Sequence, residues 1–225
     1  MEKIIFVTGT DTGVGKTLVT ALLLQHLRQS GVNALAMKPF CSGGRGDVEM
    51  IQALQKGALT DEEANPFYFR EPVAPLVAAR KHRRRISLRE VIASIRRVER
   101  KCERLVVEGA GGLLVPLGEG FTVADVIAKL CCDVLVVARN QLGTINHTLL
   151  TVEVLRQYGQ HSVKILLSAE MERDDSALTN KKILAELLAP TPVWSLCSLS
   201  ENAMQSGAVK TNAKKMKKVL ALICG

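Results

Sequence analysis

The sequence predicts an α/β fold with three layers, in which a mostly parallel central sheet carries helices on both faces. Short apolar runs alternate with segments of helical periodicity along the chain, and this alternation is typical of parallel sheets. The apolar runs are continuous, which indicates strands that are buried on both faces. The chain has 225 residues, of which 47% are hydrophobic, so it can bury one sizeable core, and we expect residues 1–225 to form one domain.

Six apolar runs are predicted to form the strands. They are Ile4–Val7, Val32–Met37, Arg104–Val107, Asp133–Ala138, Val163–Leu167 and Val193–Cys197. The segments predicted to be helical are Leu18–Arg28, Asp47–Lys56, Ser87–Lys101, Val126–Leu130, Asn146–Tyr158, Ser176–Leu188 and Thr211–Ile223. Phe40–Gly46 is expected to be a loop, and residues 57–75 are expected to be irregular because prolines interrupt them.

Two of the predicted helix starts carry capping-box patterns. Ser87 is followed three residues later by Glu90, and Thr122 is followed in the same way by Asp125. In such a pattern the hydroxyl and the carboxylate satisfy backbone N–H groups of the first helical turn, so both patterns mark the beginning of a helix.

A glycine-rich turn, Gly9–Thr17, joins the first predicted strand to the first helix. Its glycines allow successive N–H groups to point inward, and the positive end of the following helix also favours a phosphate. Lys16 can reach the β- and γ-phosphates of a nucleotide, and the Thr17 hydroxyl can bind Mg²⁺. The spacing is one residue longer than the common phosphate-loop pattern, because Thr10 stands where that pattern has its first glycine. The alternative is an ordinary strand-to-helix turn.

Further polar residues follow the carboxyl ends of the predicted strands, where ligands bind in sheets of this kind. Thr17, Asp47 and Glu108 would offer oxygen ligands for Mg²⁺ from three loops at one edge of the sheet. Lys38 is directed to the same edge and can neutralise charge on a phosphoryl group during its transfer. The alternatives are a helix N-cap for Asp47 and an exposed strand-end lysine for Lys38.

Two further segments suit a substrate. Ser42 lies in the loop after Lys38 and can hydrogen-bond an amine or a carboxylate. The stretch Gly143–Asn146 opens a predicted helix, and free N–H groups at a helix start suit a carboxylate. The alternatives are a plain loop serine and a helix that Asn146 merely caps.

The net charge of +8 is concentrated in two segments. Residues 80–104 hold eleven Lys or Arg against three Glu, and Lys210–Lys218 adds five lysines without an acid. Such segments are one feature of nucleic-acid surfaces. However, no aromatic residue interleaves the basic run Arg80–Arg85, so base stacking is unsupported. We favour a solvated surface that attracts anionic substrates.

The remaining composition argues against several classes of protein. No apolar run approaches the length of a membrane span, about 18 residues, and the N-terminus lacks a signal-peptide pattern. The six cysteines include no Cys-x-x-Cys pair, so reduced thiols are expected. We therefore expect a cytoplasmic protein whose partners are neither nucleic acid nor membrane.

Taken together, these motifs resemble the dethiobiotin synthetase family. The segments that carry the resemblance are Val7–Thr17, Lys38–Pro39, Cys41–Gly43, Asn65–Pro66, Pro72–Pro75, Val107–Gly112 and Gly143–His147. The phosphate loop and the glutamate segment are specific as a pair, whereas each alone occurs in other phosphate-loop proteins. The resemblance implies the phosphate-loop NTPase type of α/β fold.

The family resemblance also implies a ligase reaction in biotin biosynthesis. CO₂ carbamoylates one amine of 7,8-diaminopelargonate, and ATP then phosphorylates the carbamate. The second amine closes the ureido ring, and ADP and phosphate are released. ATP is thus the implied co-substrate, Mg²⁺ the implied cofactor, and a homodimer the implied assembly.

By resemblance, individual residues receive roles in this reaction. Lys38 and Lys16 are the implied catalytic residues, and the Mg²⁺ ligands are again Thr17, Asp47 and Glu108. The residues implied to hold the nucleotide are Gly13, Val14, Gly15, Lys16, Thr17, Leu18, Asp47, Glu108, Gly109, Ala110 and Gly111. The residues implied to contact the diamine are Thr12, Ser42 and, across the dimer, Asn146.

Two segments depart from the family pattern where adenine is read. Ser168 and Ala169 stand where the family usually carries an Asn-Asp-like pair after the fifth strand. Ser198, Leu199 and Ser200 stand where it usually carries a proline-containing turn after the sixth. These departures affect the expected base selectivity and leave the phosphate chemistry unchanged.

Two rival functions share a phosphate loop. A cobyric-acid-type amide synthetase normally carries an extra glutaminase domain, for which 225 residues leave no room. A partition- or positioning-type regulatory ATPase, which binds DNA or a protein partner, places a signature lysine early in the loop. Thr10, Asp11 and Thr12 occupy that region here.

Overall fold

The computed structural model describes residues 2–168, 175–196 and 203–225. Its strands are β1 (Ile4–Gly9), β2 (Ala34–Met37), β3 (Phe40–Ser42), β4 (Phe67–Phe69), β5 (Arg104–Glu108), β6 (Pro116–Gly118), β7 (Phe121–Thr122), β8 (Asp133–Arg139), β9 (Val163–Ser168) and β10 (Val193–Ser195). Its helices are α1 (Lys16–Gln29), α2 (Gly46–Gln55), α3 (Asp61–Ala64), α4 (Pro75–Lys81), α5 (Leu88–Glu99), α6 (Val123–Leu130), α7 (Thr144–Gln157), α8 (Asn180–Leu187), α9 (Ser206–Lys215) and α10 (Lys217–Cys224), and a short 3₁₀ helix spans Asp175–Leu178.

A parallel sheet of six strands, in the order β10-β9-β8-β1-β5-β2, forms the centre of the molecule. These are the six strands that the apolar runs predict. Within the sheet β1 pairs with β5, and Val7 lies opposite Glu108. The carboxyl end of β5 therefore lies beside the start of the glycine-rich turn that follows β1.

The central sheet separates two hydrophobic cores. Along β1, Ile4 and Phe6 face the core that is formed with α4, α5, α6, α7 and α8. Ile5 and Val7 face the other core, formed with α1, α2, α9 and α10. This alternation follows from the two-residue period of a strand, and it explains why the runs are apolar throughout. The predicted three-layer α/β fold is confirmed.

The exposed edge of β2 is completed by side chains instead of by another strand. The Gln55 amide nitrogen donates to the carbonyl oxygen of Ala36 at 3.1 Å, and its Oε1 accepts from the Ala36 N–H at 3.0 Å. Two residues earlier, Arg28 Nη1 donates to the carbonyl oxygen of Ala34 at 3.0 Å. The side chains of α1 and α2 thus satisfy backbone groups that an edge strand usually leaves open.

Four short strands, β3, β4, β6 and β7, were not expected from the sequence. The predicted loop Phe40–Gly46 contains β3, and the segment predicted to be irregular contains β4, which pairs with β3 in parallel. The rings of Phe40 and Phe67 stack with their centroids 4.7 Å apart. Strands β3 and β4 are each only three residues long, and their pairing joins segments that are distant in sequence. The local sequence therefore contains no pattern that predicts them.

Several predicted helix boundaries are also corrected. Helix α2 begins at Gly46 with Arg45 as its N-cap, so Asp47 is not the cap. Helix α7 begins at Thr144 after Gly143, whose φ of 91° is left-handed, so Asn146 is not the cap either. The predicted final helix is two helices that meet at Met216.

Both predicted capping boxes are confirmed. In α5 the Ser87 hydroxyl and the Glu90 carboxylate each satisfy a backbone N–H of the first turn. Thr122 and Asp125 form the same arrangement at the start of α6. Among the described residues, no helix combines the length and the apolar character that crossing a membrane requires.

Candidate active site

The glycine-rich turn between β1 and α1 has the geometry of a phosphate cradle. Gly13 and Gly15 have φ values of 72° and 94°, in the left-handed region that other residues adopt at a cost. Lys16 is buried, and its Nζ donates to the carbonyl oxygen of Asp11 at 2.8 Å. Burial lowers the pKa of Lys16 to about 8, against the opposing effect of the Glu108 carboxylate. The lysine thus lies across the turn, at the base of helix α1.

Glu108 is the point at which the predicted site residues meet. Its Oε1 accepts from the Thr17 hydroxyl at 2.8 Å and from Lys38 Nζ at 2.8 Å. The residue is only 1% exposed. Its second oxygen, Oε2, is buried without a hydrogen-bond partner among the described residues. A buried carboxylate oxygen without a partner is costly, so this arrangement suits a cation.

Lys38 joins Glu108 to Asp47. Its Nζ also donates to Asp47 Oδ2. Burial alone would lower the pKa of Lys38, but Glu108 and Asp47 outweigh burial and raise that pKa well above its usual value. The ammonium group is therefore charged at neutral pH and held between two carboxylates. Three loops of the sheet, from β1, β2 and β5, supply the cluster.

Two cavities flank this cluster. One of about 380 Å³ is lined by Thr12, Gly13, Gly15, Lys16, Thr17, Leu18, Lys38, Asp47, Glu108, Gly111 and Met204. The other, of about 430 Å³, is lined by Thr12, Lys38, Phe40, Cys41, Ser42, Gly44, Asp47, Pro72, Val73, Ala74, Pro75, Ala110, Gly111 and Val115. We call them the phosphate-loop cavity and the second cavity. Thr12, Lys38, Asp47 and Gly111 line both, so the two cavities share a wall.

Comparisons with known proteins place this arrangement in a family. Residues 3–203 match a family model described as an AAA domain. The ATP-dependent dethiobiotin synthetase BioD of Anaeromyxobacter sp. (strain Fw109-5) is 42% identical over 88% of this chain and 92% of the relative. The enzyme of that name from Endomicrobium trichonymphae is 38% identical over 87% of this chain and 93% of the relative. The chain belongs to the ATP-dependent dethiobiotin synthetase family. It is accordingly an ATP-dependent ligase.

Solved structures of lower sequence similarity confirm the phosphate-loop NTPase fold. A ParA family ATPase from Chlorobium tepidum TLS superposes with a TM-score of 0.59 at 13% identity, over 100% of this chain and 98% of that chain. The MinD cell division protein of Aquifex aeolicus superposes with a TM-score of 0.58 at 14% identity, over 96% of this chain and 97% of that chain. At such identity the likeness shows the fold alone, whereas the dethiobiotin synthetases match in sequence.

The other site residues predicted for this dethiobiotin synthetase family member do not all line the two cavities. Ser42 lines the second cavity, and its hydroxyl is buried without a partner among the described residues. Gly109 lines neither cavity, and a Cβ added there would be 3.0 Å from the Phe6 ring. Val14 is buried in the core on the α1 side of the sheet. Asn146 is exposed near the start of α7 and lines neither cavity.

The residues predicted to stand where adenine is read are only partly described. Ser168 lies beneath the phosphate loop, where its Cβ is 3.5 Å from the position of a Cβ on Gly15. Its hydroxyl donates to the carbonyl oxygen of Ala138 at 3.3 Å. Ala169, Ser198, Leu199 and Ser200 lie outside the described residues.

Two residues without a predicted role form hydrogen bonds to backbone carbonyl oxygens of the site. The buried Asn65 amide donates to the carbonyl oxygen of Lys38 at 2.7 Å and to that of Pro39 at 3.3 Å. Arg139 Nη2 donates to the carbonyl oxygen of Gly13 at 3.2 Å. The Asn65–Pro66 pair was recognisable as a family segment, but only the fold shows that it holds the turn that carries Lys38.

Proposed function

We propose that this chain closes the ureido ring of dethiobiotin from 7,8-diaminopelargonate, CO₂ and ATP, with release of ADP and phosphate. The observation that carries the proposal is the shared wall between the two cavities. A nucleotide in one cavity and a carbamate in the other would meet at Lys38, where a phosphoryl group can pass between them. Sequence similarity to dethiobiotin synthetases supports the same reaction.

The phosphate loop is proposed to hold the triphosphate of ATP. The N–H groups from Gly13 to Leu18 lie at the start of α1, where the helix end favours negative charge. Lys16 needs only to exchange the carbonyl oxygen of Asp11 for a phosphate oxygen. Because that carbonyl bond already satisfies the buried ammonium, the lysine is positioned before a nucleotide binds.

The residues of this site fit Mg²⁺. The Thr17 hydroxyl, Asp47 and Glu108 supply hard oxygen atoms, and Glu108 Oε2 lacks a partner among the described residues. In the described part of the chain, no three or more His, Cys, Asp or Glu are grouped so that they could hold a metal ion by themselves, so water and phosphate would supply part of the coordination. When bound, Mg²⁺ would neutralise charge on the phosphates.

Lys38 is proposed to stabilise the phosphoryl group as it moves to the carbamate oxygen. Its ammonium lines both cavities and is fixed by Glu108 and Asp47, so it requires little reorganisation during the reaction. Thr12 and Ser42 are proposed to bind the diamine. The apolar side chains of Phe40, Pro72 and Val73 in the second cavity suit its methylene chain.

Fixation of labelled CO₂ that depends on both ATP and the diamine tests this function. The Lys16→Ala variant serves as the control, because it removes the phosphate contact. A chain whose ATP hydrolysis responds to DNA and not to the diamine would instead support the partition-type ATPase. Assembly as a homodimer, a cytoplasmic location and a single domain over residues 1–225 stay predictions.

Asn146→Asp is expected to raise the KM for the diamine and to leave ATP binding unchanged. The exposed Asn146 near the start of α7 is proposed to serve the partner subunit's site, where a new negative charge would repel the substrate carboxylate. Steady-state kinetics with each substrate varied in turn provide the measurement.

Subunit mixing supplies the control for that assignment. Equal amounts of the Asn146→Asp and Lys38→Ala proteins should recover some activity, because mixed dimers contain one site with both native residues. A purified monomer with full activity would contradict the shared site.

ATP is expected to be used with little selectivity for its base. Ser168 commits its hydroxyl to Ala138, and the sequence offers no Asn at this position to pair with adenine. We predict kcat/KM values for ATP, GTP and CTP within about tenfold of one another, a difference of ~1.4 kcal/mol. These values are measured at saturating diamine. A preference for ATP above about a thousandfold would show that other groups read the base.

A further inference from the structure

A separate cavity lies at the other end of α1 from the phosphate loop. Because α1 has fourteen residues, its two ends are about 20 Å apart. This cavity measures about 460 Å³ and is lined by His26, Gln29, Ser30, Ala213, Lys214 and Lys217. We call it the tail cavity. It shares no lining residue with the phosphate-loop cavity or the second cavity.

The side chain of His26 lines the tail cavity and is available to a ligand there. The residue is 6% exposed and lines the cavity. Its imidazole forms no hydrogen bond with residues 2–168, 175–196 or 203–225. Burial, and then the charge of Lys217, lowers the pKa of His26 below its usual value. The lowered pKa favours the neutral imidazole, which has one N–H to donate.

The charge around the tail cavity is positive and uncompensated. Within the described part of the chain, neither Lys214 nor Lys217 forms an ion pair or a hydrogen bond through its ammonium group. The groups that face the cavity from α1, α9 and α10 include no carboxylate. In sequence, no Asp or Glu occurs from Thr12 to Gly46 or from Asn202 to Gly225.

The negative charge at the carboxyl end of α1 is too small to neutralise these two lysines. A helix end carries roughly half a negative charge, whereas the two ammonium groups carry two positive charges. Neither ammonium donates to an α1 carbonyl among the described residues. The balance of charge at the cavity therefore favours an anion with more than one negative charge.

We propose that the tail cavity binds a phosphate-type anion, which Lys214, Lys217 and the N–H of His26 would hold together. An anion of this kind would accept a hydrogen bond from the imidazole and neutralise both lysines. The site is separate from the phosphate loop and does not depend on the function proposed above. Its ligand class is a small molecule with a free phosphate group.

Nuclear magnetic resonance of the full chain with labelled histidine tests the proposal, because the signal is specific to this cavity. Inorganic phosphate is the probe, and the His26→Gln variant assigns the His26 signal. We expect a saturable shift of that signal with millimolar phosphate. In the Lys214→Gln/Lys217→Gln variant the apparent affinity should fall by about tenfold or more.

Two controls separate this site from general attraction and from the phosphate loop. The Lys215→Gln/Lys218→Gln variant removes the same charge from the same two helices, outside the cavity lining, and should keep the wild-type affinity. The Lys16→Ala variant should leave the His26 response unchanged. A His26 signal that does not respond to phosphate, or an equal loss of affinity in both double variants, would overturn the proposal.

Discussion

Replacing Lys38 with alanine is expected to lower kcat by about a hundredfold or more while ATP binding changes little. Lys38 lies at the wall between the two cavities, and Glu108 and Asp47 hold its charge there. That charge is proposed to act on the moving phosphoryl group, so its loss should affect the transition state more than the bound nucleotide. Steady-state kinetics and a direct nucleotide-binding measurement separate the two effects.

Folding of the variant needs its own control, because removing Lys38 leaves the buried Glu108 carboxylate without its cation. The Lys38→Ala/Glu108→Gln variant avoids this unpaired charge and should be equally inactive. Lys164→Ala removes another lysine from a strand of the central sheet, where it donates to Ile223, and should turn over normally. Near-normal turnover by Lys38→Ala would remove this lysine from the mechanism.

Glu108→Gln is expected to lower kcat/KM by about a hundredfold or more and to raise the Mg²⁺ concentration that half-maximal activity requires. Glutamine has nearly the same size and can still accept from Thr17, but it removes the buried negative charge that holds Lys38 and that is proposed to bind Mg²⁺. Activity measured as a function of Mg²⁺ concentration provides the test.

The matched control for Glu108→Gln is Asp133→Asn, a second buried carboxylate, which lies at the amino-terminal end of a strand of the same sheet, whereas Glu108 lies at a carboxyl end. Asp133 begins β8, and its Oδ1 accepts from the Ser162 hydroxyl at 2.6 Å. Its substitution should affect stability and leave the Mg²⁺ dependence unchanged. If Glu108→Gln also showed the wild-type Mg²⁺ dependence, Glu108 would not be a metal ligand.

Much of the fold was predictable because its signals are local. Continuous apolar runs locate the six strands of the sheet, and the Ser87–Glu90 and Thr122–Asp125 pairs locate two helix starts. The carboxyl ends of parallel strands meet at one edge. This rule was enough to place Thr17, Lys38 and Glu108 together.

What the sequence did not predict depends on contacts between distant segments. The β3–β4 pair brings Phe40 onto Phe67, a contact that no local periodicity indicates. The support of Lys38 by Asn65 depends on the same pairing. Nor does any pattern show that Thr17 and Lys38 share a single oxygen of Glu108, because side-chain geometry decides which atoms meet.

The side-chain hydrogen bonds along the outer edge of β2 affect how copies of this protein can associate. Arg28 satisfies the carbonyl oxygen of Ala34, and Gln55 satisfies both backbone groups of Ala36. Two residues after Ala36, the N–H of Lys38 donates to the carbonyl oxygen of Ala64. This margin of the sheet has few backbone groups left to recruit a strand from another molecule. Joining of sheets at β2 is therefore disfavoured, both in ordered assemblies and in aggregates.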